Sequence, residues 1–281
     1  MITINNLDFG YKSQPVFKNI SLSFEKGNIY GLLGENGVGK TSLLKLISGL
    51  QKPTAGACEV DGIAPFNRLP ETLQKIYFIS EDFAIPEGTP INNIKELGKF
   101  YPKFDESLFL ELCKELDVDP TRKYAEMSFG QQKKCLIASA LSLNTDYLLL
   151  DEPTNGLDIP SKADFRRILS ERKSSGQTVI ISTHQVKDVE NLINPIIIIS
   201  DSRVLLNASV ERITEKLHFK YCPEAVPDAL YSEMLAGGFV NVLINNGFGD
   251  SQLNIEALFN AVLRNQDTVK KLFEQTEITN N

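Results

Sequence analysis

The stretch Gly34-Glu35-Asn36-Gly37-Val38-Gly39-Lys40-Thr41 constrains this chain more than any other. It fits G-x-x-x-x-G-K-[ST], a loop whose backbone amides wrap a phosphate group. An apolar, strand-like run, Ile29-Tyr30-Gly31-Leu32-Leu33, precedes it. A helix-forming run, Ser42-Leu43-Leu44-Lys45-Leu46-Ile47, follows. Strand, glycine-rich loop and helix in that order are the context the motif requires. The helix turns its positive N-terminal end on the same anion. Lys40 is placed for the β- and γ-phosphates of a nucleotide, and the Thr41 hydroxyl for Mg²⁺. A glycine-rich turn with a stray lysine is the bland alternative, and the flanking strand and helix argue against it.

The chain is 281 residues long, enough for one or two domains with a large core. Its net charge is −7 and it has no long basic block, so direct nucleic-acid binding is not expected. Four cysteines (Cys58, Cys113, Cys135, Cys222) lie far apart without a C-x-x-C pair. They read as buried thiols in a reducing compartment, neither a disulfide framework nor a zinc site. Met1 to Asn6 has neither a basic n-region nor an apolar h-region, so no signal peptide is expected. Apolar runs such as Ile196-Ile197-Ile198-Ile199 are far too short to span a bilayer. Any membrane role would need another polypeptide to cross.

Ile2 to Leu7 and Ile20 to Phe24 alternate apolar and polar residues and read as strands with one solvated face. Phe9-Gly10-Tyr11 between them reads as a turn or bend; Asp8-Phe9-Gly10 spells a kinase motif but lacks its context. Further strands are expected at Cys58 to Val60 and Lys75 to Ser80. Ala84 to Tyr124 is polar and helix-leaning, with helical spacing in Ile91 to Tyr101 and Glu106 to Leu116 (Leu108, Leu112, Leu116). Ser128 is a good N-cap for a helix through Leu143 that carries Leu136, Ala140 and Leu143 on one face. Tyr147 to Asp151, Thr178 to Ser182 and Pro195 to Ser200 are continuous apolar runs, as expected of strands buried on both faces. A helix lies between Pro160 and Gly176. The expected fold is α/β: a P-loop NTPase with a mainly parallel central sheet, an antiparallel β subdomain, an inserted helical subdomain at about 84–145, and a small C-terminal α/β appendage. The boundary falls between 215 and 216. In the appendage, at 216–281, Phe239 to Ile244 reads as a strand, Asn245-Asn246-Gly247 as a hairpin-type turn, and Ile255 to Leu263 and Thr268 to Phe273 as helices.

Asp151-Glu152 closes a buried strand, at the edge where open α/β sheets bind ligands. Asp151 there suits Mg²⁺, and Glu152 suits proton acceptance from an attacking water. His184 also follows a strand, where a neutral imidazole would meet the γ-phosphate or that water. Tyr11 is an aromatic able to stack on a base, although an isolated tyrosine is more often packed.

With Met127-Ser128-Phe129-Gly130-Gln131 ahead of Leu148-Leu149-Leu150-Asp151-Glu152, the sequence resembles the ATP-binding cassette (ABC) ATPases. The resemblance spans roughly residues 1–215. It implies Tyr11 as the base-stacking aromatic and Gly34 through Ser42 (Walker A) as the phosphate site. It implies Glu81 at the Q-loop position, facing Mg²⁺ with Thr41 and Asp151. Ser128, Gly130 and Gln131 are the signature, Asn155 to Asp158 the D-loop, Glu152 the catalytic base and His184 the switch histidine. Ser128 and the Gly130 amide form a second anion-binding helix end, which in this family closes on the nucleotide of a second cassette. The resemblance implies ATP and Mg²⁺ as cofactors and hydrolysis that powers a separate transmembrane permease of exporter type. Localisation would be the cytoplasmic face of the cell membrane, held by the permease. The insert would meet the permease near Glu81 to Tyr101, where Phe83, Phe100 and Tyr101 are either contact residues or subdomain core. The alternative is a soluble ABC ATPase acting on nucleic acid or ribosomes; one cassette, no long heptad run and an acidic balance argue against it. Three positions depart from the family pattern: Glu81 for glutamine, Phe129 for the first signature glycine, and Met127 for leucine. Phe129 spares the two phosphate-contacting positions, and methionine conserves volume.

Overall fold

The computed structural model describes residues 1–12 and 14–274. The part of the appendage at 275–281 lies outside the described residues. In chain order the elements are β1 (Ile2–Tyr11), β2 (Gln14–Phe24), β3 (Ile29–Leu33), α1 (Lys40–Ile47), β4 (Ala55–Val60), α2 (Pro70–Leu73), β5 (Ile76–Ile79), α3 (Pro90–Gly98), α4 (Glu106–Glu115), α5 (Phe129–Ser142), β6 (Tyr147–Asp151) and α6 (Ile159–Arg172). They continue as β7 (Thr178–Thr183), β8 (Ile196–Ser200), β9 (Arg203–Ala208), α7 (Val210–Lys216), β10 (Leu217–Cys222), β11 (Tyr231–Leu235), β12 (Gly238–Ile244), α8 (Ile255–Arg264) and α9 (Gln266–Glu274).

The apolar runs become a six-stranded sheet of order β5-β6-β7-β3-β8-β9, parallel except for β9. Every residue of β6, β7 and β8 is buried, which is why these segments show no polar alternation. β3 sits inside this sheet, so its loop and α1 open at the C-terminal edge beside the ends of β6 and β7. The register pairs Asp151 with Ser182 and Leu33 with Thr183, bringing the loop, the acidic pair and the strand before His184 to one rim.

An antiparallel sheet of order β2-β1-β4 covers one face. Ile2, Ile4, Leu7, Phe17 and Phe24 from it join Leu32, Leu43, Leu44, Ile47, Ile180 and Ile197 in one apolar cluster. Burying each such side chain contributes roughly 1.5–3 kcal/mol, and that seats α1 firmly under the loop. The strand β1 runs to Tyr11, which corrects the expected bend at Phe9-Gly10-Tyr11. Gly10 pairs with Pro15 and Tyr11 with Gln14, and register shifts after Leu7 and after Phe9 absorb the irregularity that interrupts the alternation.

The other face packs on α4, α5 and α6 through Phe109, Leu112, Leu116, Ile137, Phe165 and Ile168. Asp105 caps α4 by accepting from the Leu108 amide, and Asp158 caps α6 by accepting from the Ser161 amide. Arg172 and Arg167 of α6 both pair with Glu115 of α4, tying the two helices across their exposed edge.

Beyond α7, β10, β12 and β11 form an antiparallel sheet, with β12 in the centre. Its hairpin turn is at Ala236-Gly237, where Leu235 pairs with Gly238, not at Asn245-Asn246-Gly247 as the dipeptide suggests. No strand follows Gly247 directly. Asn245 instead accepts from the Gly247 and Phe248 amides through its own side chain, a local turn that ends β12. Val240, Val242, Leu258 and Val262 join the same apolar cluster as the central helices, so this segment shares the main core.

Candidate nucleotide site

A cavity of about 300 Å³ opens at the rim of the parallel sheet. Residues of the loop and first turn of α1, from Asn36 to Ser42, line one side; Glu81, Glu152 and His184 line the other. Gly39 is the N-cap of α1 with φ 107°, a left-handed conformation that a side chain disfavours. A Cβ there would lie 2.6 Å from Val16 Cγ1 and 2.8 Å from Phe17 Cζ, so the loop lies flat on the β1–β2 hairpin. Gly34 is buried at the end of β3, Glu35, Asn36 and Gly37 are exposed, and Val38 packs half-buried against the apolar cluster. Glu35, Asn36 and Gly37 are thus on the solvent side and the Val38 side chain packs inward.

Lys40 is buried and donates to the carbonyls of Gly34 at 2.8 Å and Glu35 at 3.2 Å. Its ammonium lies 3.7 Å from Glu152 Oε1. Burial lowers the Lys40 pKa, and the carboxylates of Glu152, Asp151 and Glu81 oppose that shift. Thr41 Oγ1 donates to Asp151 Oδ2 at 2.7 Å, and Ser182 Oγ donates to Asp151 Oδ1. A hydroxyl and a buried carboxylate in contact are hard oxygen donors, of the type Mg²⁺ takes. Among the described residues no group of three or more His, Cys, Asp or Glu side chains is arranged to hold a metal.

Glu152 is 4 % exposed and has φ 46°, an uncommon backbone for a residue with a side chain. Its carboxylate is gripped from the β7 side. Oε1 accepts from the His184 amide at 3.0 Å and lies 2.7 Å from His184 Nδ1; Oε2 accepts from Thr183 Oγ1 at 2.9 Å. His184 was expected to face phosphate or water, and here its ring meets the carboxylate that would activate that water. Glu81 lies across the cavity, and its Oε1 accepts from Asn155 Nδ2 at 2.7 Å. Tyr11 stands at the end of β1 with its hydroxyl 3.3 Å from Ser42 Oγ and its ring edge-on to Phe9. Much of the ring is exposed beside the first turn of α1.

Ser128, Gly130 and Gln131 do not line this cavity. Ser128 caps α5 in a reciprocal pair: its hydroxyl accepts from the Gln131 amide, and the Gln131 side chain accepts from the Ser128 amide. The motif is therefore a preformed helix N-terminus with Ser128 exposed, outside the cavity that the chain's own loop lines. Met127 is buried with its sulfur 3.9 Å from Cys135 Sγ. Of the three aromatics singled out near the insert, Phe100 is 69 % exposed, Tyr101 packs edge-on to Tyr77, and Phe83 stacks on Phe129 at 5.6 Å. Sequence reasoning missed Lys133 and Gln185, and named Asn155 only as the start of the D-loop; the structure places all three around Glu152. Lys133 carried a signal: a charge on the buried side of α5.

A family model described as ABC transporter matches residues 17–155. The chain is 30% identical to a putative ABC transporter ATP-binding protein of Methanosarcina acetivorans, over 98% of this chain and 97% of that protein. It is 32% identical to the ABC transporter ATP-binding protein NatA of Bacillus subtilis, over 70% of this chain and 83% of the relative. A solved dimeric structure of a bacterial ABC transporter cassette matches with TM-score 0.65 at 25% identity, over 75% of this chain and 99% of that one.

Proposed function

This chain belongs to the ABC transporter ATP-binding proteins, and from that premise we propose that its ATPase activity drives a separate transmembrane permease in export. The ATP-binding ATPase role is common to the family. The permease, the direction and the role of each residue are our reading. The observation that carries it is the single cavity in which the phosphate loop faces Glu152 and His184.

Lys40 gives up the Gly34 and Glu35 carbonyls to meet phosphate oxygens, and the loop amides with the α1 N-terminus complete the cradle. Thr41 and Asp151 would hold Mg²⁺, with Glu81 facing them across the cavity. When bound, the ion would supply positive charge to offset that of the phosphates. Glu152 takes the proton of the attacking water, and Thr183 and His184 fix its carboxylate for that task. Tyr11 supports the base. Ser128, Gly130 and Gln131 serve the nucleotide of a second cassette, since they lie outside the cavity of their own loop. A dimer with two shared sites follows.

Among the described residues no helix is long and apolar enough to cross a membrane, which supports a separate permease. The exposed Phe100 supports a contact near the insert, while Tyr101 is engaged in packing. Residues 1–215 as the cassette, with the insert at about 84–145 and an appendage from 216, belong to the same proposal, as does placement on the cytoplasmic face of the membrane. Glu81 and the variant signature support export over import.

The test is the Glu152→Gln variant. It should bind ATP, hydrolyse it roughly 10²- to 10⁴-fold more slowly, and accumulate as a dimer. Pulled down from native membranes with ATP, it should bring a multi-span membrane protein. Recovery of ribosomes or nucleic acid in its place overturns the permease reading, and parent-like turnover removes Glu152 as the base.

A further inference from the structure

Beside the nucleotide cavity lies a second cleft of about 500 Å³, between the start of α5 and the turn that follows β6. Lys133 projects into it from α5. The residue is 2 % exposed, yet no carboxylate oxygen among the described residues lies within salt-bridge distance of its ammonium. It donates instead to two backbone carbonyls, Glu152 O at 2.9 Å and Asn155 O at 2.7 Å. A cation buried on carbonyls alone is costly unless the groups it orders matter.

Those groups are the turn that carries Glu152. The turn has φ 46° at Glu152, and its own amide bonds include Asn155 N to Glu152 O. The Asn155 side chain reaches both ways, donating to Glu81 Oε1 at 2.7 Å and accepting from Gln185 Nε2 at 2.7 Å. Lys133 therefore supplies, among the described residues, the hydrogen bonds by which α5, the helix opened by Ser128, holds the backbone of Glu152 and Asn155. The Phe129 ring closes over it with the ammonium 5.7 Å from the centroid. That ring also stacks on Phe83 and fills the space above Gly156, where a Cβ would come within 2.6 Å of it.

We propose that Lys133 is a positioning residue for the hydrolytic step: its clamp on the Glu152 and Asn155 carbonyls holds Glu152 in its left-handed backbone and aims its carboxylate at the attacking water. Phe129, in place of the usual glycine, is the lid that keeps water off this clamp. The inference rests on Glu152 being the base. Lys133 touches neither the loop nor the cavity that would hold ATP, so its loss should act on the rate and spare nucleotide binding.

The experiment compares the parent with Lys133→Met, Lys133→Arg, Glu152→Gln and the double variant Lys133→Met/Glu152→Gln, reading ATPase kinetics and ATP affinity. Lys133→Met should lower kcat at least 10-fold with KM and ATP affinity within about twofold of the parent. Lys133→Arg, which keeps cationic donors, should recover most of the rate. On the Glu152→Gln background Lys133→Met should change the residual rate by less than twofold, because a residue acting through Glu152 has nothing left to aim. If Lys133→Met does not fold, Lys133→Gln takes its place and is judged by the same numbers. Parent-like kcat in the Lys133 variants beside a slow Glu152→Gln overturns the clamp alone. A parent-like Glu152→Gln overturns the base assignment, and the clamp with it. Equal loss in the double and single backgrounds, or a loss confined to KM, also overturns the clamp.

Discussion

Replacing Lys133 by methionine should change how stability depends on pH, in a direction set by where the ammonium sits. Burial pushes the Lys133 pKa down from 10.5 to about 8, against the pull of the Glu81, Glu152 and Asp151 carboxylates. The folded pKa is thus below the unfolded one. Between pH 8 and 10.5 the unfolded chain holds a proton at this site that the folded chain has released, so stability rises with pH across that window. Between pH 7 and pH 10 the full effect is about 2.5 kcal/mol. Solvent reaching the mouth of the cleft screens the charge, and about half of that is the expected size. The assay is urea unfolding of parent and Lys133→Met at pH 7, 8, 9 and 10. Other titrating groups are common to both proteins and cancel in the difference. The parent should gain about 1–2.5 kcal/mol on the variant from pH 7 to pH 10. Loss of the Lys133 donor, which leaves Glu152 O with only the Asn155 amide, shifts the whole curve but not its slope. A difference flat to within about 0.5 kcal/mol, or one that falls, would falsify the buried-cation account.

Two further outcomes are expected. Gly39→Ala adds a Cβ at φ 107° against Val16 and the buried Phe17, and should cost roughly 2–4 kcal/mol, seen as a Tm lower by about 5–10 °C; an unchanged melt would mean the loop does not lie on the hairpin. Lys40→Ala removes the ammonium held on the Gly34 and Glu35 carbonyls and should weaken MgATP binding and abolish turnover, measured by calorimetry and phosphate release; unchanged turnover removes the phosphate-loop assignment.

The parts of the fold that were legible in the sequence are those whose signals are local. Gly34 to Thr41 announces itself through backbone requirements, and Tyr147 to Asp151 through burial on both faces, which erases alternation. Ser128 reads as an N-cap from its type and place, and the structure adds Gln131 as its reciprocal partner. What was not legible depends on partners far along the chain. Phe9 to Tyr11 looks like a bend until the pairing with Pro15 and Gln14 shows that shifted register keeps it in the strand. The Asn245-Gly247 signal is a real turn without a second strand, while the hairpin uses Ala236-Gly237, flanked by a strand with exposed Met234 and Leu235 that hardly alternates. In the site, Asp151, Glu152 and His184 were found as carboxylates and an imidazole at strand ends. Lys133 and Gln185 were missed, and Asn155 was seen only as part of a loop motif, because each acts through contacts with groups 19 to 74 residues away, which no spacing rule encodes.

Two departures from the family pattern gain a common physical meaning in the second cleft. A buried ammonium resting on carbonyl dipoles needs a formal negative charge nearby to stay protonated, and the Glu81 carboxylate is the strongest opposing influence on Lys133 against burial. A glutamine at position 81 would keep the oxygen that Asn155 holds but remove that charge. An added carboxylate at the rim would in turn attract water into the cleft, and the Phe129 ring, stacked on Phe83 and seated over Gly156, occupies the path. Glu81, Phe129 and Lys133 therefore make sense as a set: cation, counter-charge and lid. Together they link the signature helix, the Q-loop position and the turn of Glu152 without touching the loop that binds phosphate.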